Sequence, residues 1–204
     1  MRNFVRVAQL ALVPGLALIT IAMASVAEAG ANLNAHLRGA YAVTTARTCT
    51  VSPVPFQGEN LDIPPGAFVF RQTAVDNGIT TYHGDGTATF AGRTSSININ
   101  STGGSAISIS DVTADIEYTV NPDGTVDTAI SSRFALVFPA TGLTGTTTGQ
   151  VGRSQISHGN TMLVSAPQGK VSVETQVLTP LAGVPFTQYR LCVRSATQTK
   201  LPSH

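Results

Sequence analysis

Few residues in this 204-residue chain have a type and spacing suited to chemistry, and they lie apart. Asp111, Asp115 and Glu117 share one parity, so on an extended strand they point the same way. Converging carboxylates can act as general acid and base or bind Ca²⁺. The opposite parity holds Ala114, Ile116 and Tyr118, so the acidic side reads as the solvent face of a half-buried strand. His83 and Asp85 look like a metal pair, but no third ligand follows at a diagnostic spacing. Two cysteines cannot build a Cys/His zinc site, and His36 and His158 fall in loop positions with no partner visible in sequence. We expect no metal and no cofactor.

Nucleophilic catalysis finds no support. Gly152-Arg153-Ser154 and Gly103-Gly104-Ser105 do not complete a Gly-x-Ser-x-Gly elbow. No Gly-rich turn leads into a helix, so a phosphate loop is missing as well. Asn100-Ser101-Thr102 is a glycosylation sequon, which matters only in a eukaryotic host. No catalytic residue is assigned.

The start of the chain has the pattern of an export signal. Arg2 and Arg6 precede an apolar run from Val7 to Ala24, and Ala27-Glu28-Ala29 is a small-x-small cleavage site. An uncleaved anchor is the competing reading, and Pro14-Gly15 inside the run argues against it. No Cys sits at the cleavage site, so a lipoprotein anchor is not expected. The expected mature chain is one domain, 30–204, in the periplasm or outside the cell. Without residues 1–29 it has ten basic and ten acidic side chains and no net charge. That excludes an electrostatic footprint for nucleic acid or anionic membrane. No stable membrane insertion is expected after cleavage. In such a compartment Cys49 and Cys192 are expected to form a disulfide joining the first strand to the last, with two free buried thiols as the alternative.

The elements that position these residues are strands. The composition is rich in Thr, Ser, Val, Ile and Gly, and Trp is absent. Asp85-Gly86-Thr87 and Asp123-Gly124-Thr125 are hairpin turns between strand-like segments. Ala114, Ile116, Tyr118 and Val120 alternate with polar residues, as do Val126, Ile130, Phe134, Leu136 and Phe138. Leu37 to Thr48 reads as the first strand, and Val51 to Gly66, with four prolines, as a loop. Strands are also predicted over Ala67 to Ala74, Ile79 to His83, Thr87 to Ala91 and Ser95 to Asn100. Later ones follow over Thr161 to Ser165, Lys170 to Leu178 and Phe186 to Ser195. Ile107 and Ile109 are out of phase with Val112, Ala114 and Ile116, which predicts a bulge near Ser110-Asp111. Register in the Thr/Gly-rich stretch from Gly142 to Gly159 is poorly specified. The expected fold is all-β: an antiparallel up-and-down meander closing into a single soluble barrel of about eight strands, with a β-sandwich as the alternative. A membrane barrel would need lipid-facing apolar rows and aromatic girdles, which most strands lack.

Leu37-Arg38-Gly39-Ala40-Tyr41, the Asn77-Gly78 to Thr87 hairpin and Tyr118-Thr119-Val120-Asn121-Pro122-Asp123-Gly124-Thr125 resemble a group of bacterial exported proteins of unknown function. These share an L-x-G-x-Y first strand and Y-x-V-x-x-D-G-T turns. Their form is similar to the calycin, or lipocalin-like, and allene-oxide-cyclase-like barrels. Gly39 and Tyr41 are similar to the Gly-x-Trp opening of lipocalins, with Tyr in place of Trp. That likeness implies a cation from Arg190 or Arg194 over the Tyr41 ring.

If the barrel closes, one parity of each strand lines it. On the last strand that set is expected to be Tyr189, Leu191 and Val193. The lining is then apolar with a few hydroxyls, which suits a small apolar or amphipathic ligand. The candidate ligand-binding residues are Tyr118, Ser132, Phe134, Phe138 and Tyr189, with Tyr118 and Tyr189 offering hydrogen bonds. A structural or surface-interaction module with a filled interior is the alternative. A barrel cyclase or isomerase, with Tyr118 and Ser132 or Arg133 as its polar cluster, is the third reading.

Overall fold

The structure, a computed structural model, describes residues 33–157, 159, 161–165 and 171–203. The expected signal segment 1–29 and His158 lie outside the described residues. Among the described residues nine strands follow a short 3-10 turn at Asn34–His36: β1 Arg38–Ser52, β2 Phe70–His83, β3 Thr87–Asn100, β4 Ser105–Val120, β5 Thr125–Phe138, β6 Thr144–Ser157, β7 Met162–Ser165, β8 Ser172–Thr179 and β9 Phe186–Lys200. All pairings are antiparallel and all belong to one sheet. Eight strands form a ring, because β9 pairs with β1 as well as with β8, and β8 pairs with β6.

Both Asp-Gly-Thr turns form as the sequence predicts. Asp85 Oδ1 accepts hydrogen bonds from the Thr87 N–H at 2.8 Å and the Thr87 hydroxyl at 2.7 Å. Asp123 does the same for Thr125, at 2.9 and 2.7 Å. Gly86 and Gly124 take the positive φ that each turn requires, +99° and +78°.

Several strands run longer than their sequence pattern. β2 passes without a break through Gly78, and β3 through Gly92, because these two glycines are partners on the inner face. A Cβ on Gly78 would lie 2.7 Å from the Phe90 ring, and one on Gly92 would lie 2.6 Å from it. The missing side chains make room for that ring. Phe134 uses Gly145 of β6 in the same way, at 2.6 Å.

The bulge is present in altered form. β4 keeps one parity against β3 from Ser105 to Glu117. The register shift lies between Ile109 and Ser110 against β5, where Val137 is the extra residue. Ile107 and Ile109 therefore face outward and Ser108 and Ser110 inward. At a second shift Thr148 and Gly149 of β6 stand against Ser131 alone, which gives β6 one extra residue. There β6 changes partner from β8 to β7. Among the described residues, 149–153 of β6 and 193–196 of β9 have no strand between them.

Cys49 and Cys192 are partners across β1 and β9 and are joined by a disulfide. No helix among the described residues is long and apolar enough to cross a membrane, a statement that does not bear on strands.

Candidate functional site

The interior has two unlike halves. Near the start of β1 it is an apolar plug: Leu37, Tyr41, Tyr82, Ile116, Tyr118, Val120, Val126 and Leu163 are buried together. Each such large side chain contributes roughly 1.5–3 kcal/mol of burial. Three tyrosine rings stack edge to face, Tyr41 on Tyr82 at 5.2 Å and Tyr82 on Tyr118 at 5.1 Å. Tyr118 donates to the Leu37 carbonyl at 2.9 Å and the Asn34 carbonyl at 3.1 Å, and accepts from the Gly84 N–H. Burial raises the pKa of all three phenols, most strongly that of Tyr82. The cation over the Tyr41 ring is Lys200, at 6.0 Å, and not Arg190 or Arg194.

The other half joins a small apolar cluster of Cys49, Val51, Cys192 and Phe70 to a set of hydrogen-bonded polar side chains. Gln72 donates to Asn98 at 2.8 Å, Ser96 and Ser108 share a bond of 2.7 Å, and Gln176 donates to Thr147 at 3.1 Å.

Between the halves sits a charged cluster that the apolar reading of the interior did not foresee. Tyr189, Leu191 and Val193 face outward, Val193 being 56% exposed, and Arg190, Cys192 and Arg194 face inward. The disulfide dictates this. Cys49 shares the inner parity of Tyr41 and Val43, so its partner Cys192 must point inward too, carrying Arg190 and Arg194 with it. Glu174 of β8, fully buried, bonds Arg194 and the Ser172 hydroxyl, the latter at 2.7 Å, and lies 3.6 Å from Arg190 Nε. Asp76 of β2 accepts from the Thr94 hydroxyl and lies 3.4 Å from Arg47. Arg47 and Arg194 are direct cross-strand partners, a like-charge contact that is unfavourable by itself. Burial, reinforced by repulsion from Arg47 and only partly offset by Glu174, pushes the Arg190 guanidinium down to about 9. Arg194 is lowered for the same first reason.

Two cavities meet at this cluster. One, about 130 Å³, is walled by Val43, Phe90, Ala114, Ile116 and Ile130 together with Asp76, Thr80, Thr128, Gln150, Arg194 and Ala196 and the β6 residues Val151 to Ser154. The other, about 270 Å³, lies in the second half against Gln72, Thr94, Ser96, Gln176 and Arg190. Arg47, Val112 and Ser132 belong to the walls of both.

Of the predicted site residues, Ser132 and Phe134 face these cavities, and Ser132 accepts a 2.6 Å bond from Gln150. Tyr118 is spent on the plug. Phe138 is 55% exposed, because the extra residue Val137 reverses the parity just before it. Tyr189 lies on the outer face. Arg133 points outward to Asp115 at 3.5 Å, and Asp111 pairs with Arg93 at 2.8 Å. Asp111, Asp115, Glu117 and His83 are all exposed. Among the described residues no group of three or more His, Cys, Asp or Glu could hold a metal ion. Arg47, Asp76 and Glu174 were missed as site residues, although the inner parity of Cys49 also fixes that of Arg47.

No family model and no curated protein matches this chain.

Proposed function

We propose that this is an exported β-barrel protein that binds a small amphipathic molecule in its interior. One observation carries the reading. Among the described residues the ring keeps two cavities that share walls, both of mixed lining, the first somewhat more apolar and the second somewhat more polar. Together they reach the low end of the size range of small-molecule sites, and a dry cavity near 150 Å³ takes a benzene-sized group. The resemblance to calycin-like barrels points the same way. Saturable one-to-one binding of the neutral apolar probe N-phenyl-1-naphthylamine is the expected result. Ala196→Leu, which fills the more apolar cavity from β9, should abolish it while leaving the circular dichroism spectrum unchanged. An absence of saturable binding to the unaltered protein overturns the reading.

A second reading, an interaction module, rests on the rim at the polar end. Phe68, Phe138, Leu181, Val184 and Phe186 are exposed there, Leu181 and Val184 by more than 80%. Sedimentation velocity over a wide concentration range tests its simplest form, self-association. A single monomeric species throughout removes that form.

A further inference from the structure

We infer that the ligand is an organic anion, a carboxylate with an apolar tail, held by Arg47, Arg190 and Arg194 where the two cavities meet. This rests on the binding reading above and gives it a chemistry. The cluster sets three guanidinium groups against two carboxylates, Asp76 and Glu174, so the middle of the ring carries one uncompensated positive charge. That surplus is buried. The side chains of Arg190 and Glu174 are at most 2% exposed, and those of Arg47 and Arg194 below 15%. A buried charge is costly unless it is paired and hydrogen-bonded. Arg190 Nε and the second Glu174 oxygen face each other at 3.6 Å, an ion pair too long for a hydrogen bond, and the Nε groups of Arg47 and Arg194 have no hydrogen-bond partner. Donors without acceptors around a surplus cation are the complement of a carboxylate, which accepts several charge-assisted bonds at once.

The cavities fix which way such a ligand lies. Arg47 lines both, Arg190 lines the more polar one and Arg194 the more apolar one. A headgroup at this junction would lie beside Arg47, with Arg190 on the side of one cavity and Arg194 on the side of the other. Its tail then extends among Val43, Phe90, Ala114, Ile116 and Ile130. A neutral tail would gain the apolar contacts alone.

The test compares octanoate with octan-1-ol, which share a chain and differ in headgroup charge, by isothermal titration at neutral pH. Octanoate is expected to bind at least tenfold more tightly. Arg47→Met lowers the cluster to two cations against two anions and should erase the preference. Arg47→Met with Asp76→Asn restores the surplus of one positive charge and should bring the preference back, which a purely structural arginine would not do. Equal affinity for acid and alcohol in the unaltered protein overturns the anion inference and leaves interior binding standing. No binding of either overturns both. If Arg47→Met fails to fold, the comparison on the unaltered protein decides alone.

Discussion

Glu174→Gln isolates the charge at the centre of the ring. Gln is nearly isosteric and keeps an acceptor for the Ser172 hydroxyl, 2.7 Å away. What disappears is the negative charge facing Arg190 and Arg194 in a site where Glu174 has no exposed surface. Breaking a buried pair by neutralising one partner costs about 3–5 kcal/mol. In a domain of this size that is a fall in melting temperature of roughly 6–20 °C. Urea unfolding under non-reducing conditions, with the disulfide intact in every variant, gives the difference from the midpoint at constant m. A companion variant, Glu174→Leu with Arg190→Met and Arg194→Met, removes the charges together and fills the space with apolar atoms. It should lose less stability than Glu174→Gln alone, since the desolvation cost leaves with the charges. A Glu174→Gln protein within about 1 kcal/mol of the parent would refute the claim that this carboxylate holds two buried guanidiniums in place.

Three further outcomes are expected. Replacing Cys49 and Cys192 by Ala should lower stability by at most about 5 kcal/mol without changing the far-ultraviolet dichroism, because the bridge mainly restricts the unfolded chain and β1 and β9 remain partners; alkylation of native, non-reduced protein should label neither thiol. Raising the pH past about 10 should erode stability, since unfolded phenols ionise there while burial holds Tyr41, Tyr82 and Tyr118 protonated to higher pH; absorbance at 295 nm should show these three titrating late, with the loss of fold, and three early titrations would contradict the plug. Gly92→Ala should cost about 1–3 kcal/mol by overpacking, with its Cβ 2.3 Å from the Asn77 carbonyl oxygen. Gly124→Ala, whose Cβ would meet nothing within 4 Å, should show only the smaller strain of a positive φ, read from the same urea midpoints.

The strand class and the two Asp-Gly-Thr turns were legible because both follow from local chemistry, alternation and turn residues. The disulfide was legible from two cysteines in a chain that begins with an export pattern. The facing of β9 was not read correctly, because apolar alternation was taken to point inward. On β9 the apolar parity is the outer one, and the covalent link to Cys49 outweighs it. The bulge shows a similar limit. The phase change at Ile107 and Ile109 was visible in β4, but the residue that absorbs it, Val137, belongs to the neighbouring strand. Gly78 and Gly92 look like strand breaks in one dimension and become partners beneath Phe90 only once β2 and β3 are paired. The change of partner along β6, from β8 to β7, is encoded by no local pattern. The charged cluster draws one residue or more from each of β1, β2, β8 and β9, so it existed in the sequence only as scattered single residues.

The closure of the ring also sets an order of events in time. β1 has one partner adjacent in the chain and another, β9, so distant that Cys49 and Cys192 are 143 residues apart. A ribosome delivers β1 early and β9 last. Until the final strand arrives, the growing meander has a free edge at each end, and free edges are templates for pairing with other chains. Long-range pairing of this kind is also slow, because the loop must close before its contacts are gained. The chain therefore presents an unpaired β1 edge throughout the interval before the fifteen-residue β9 is made.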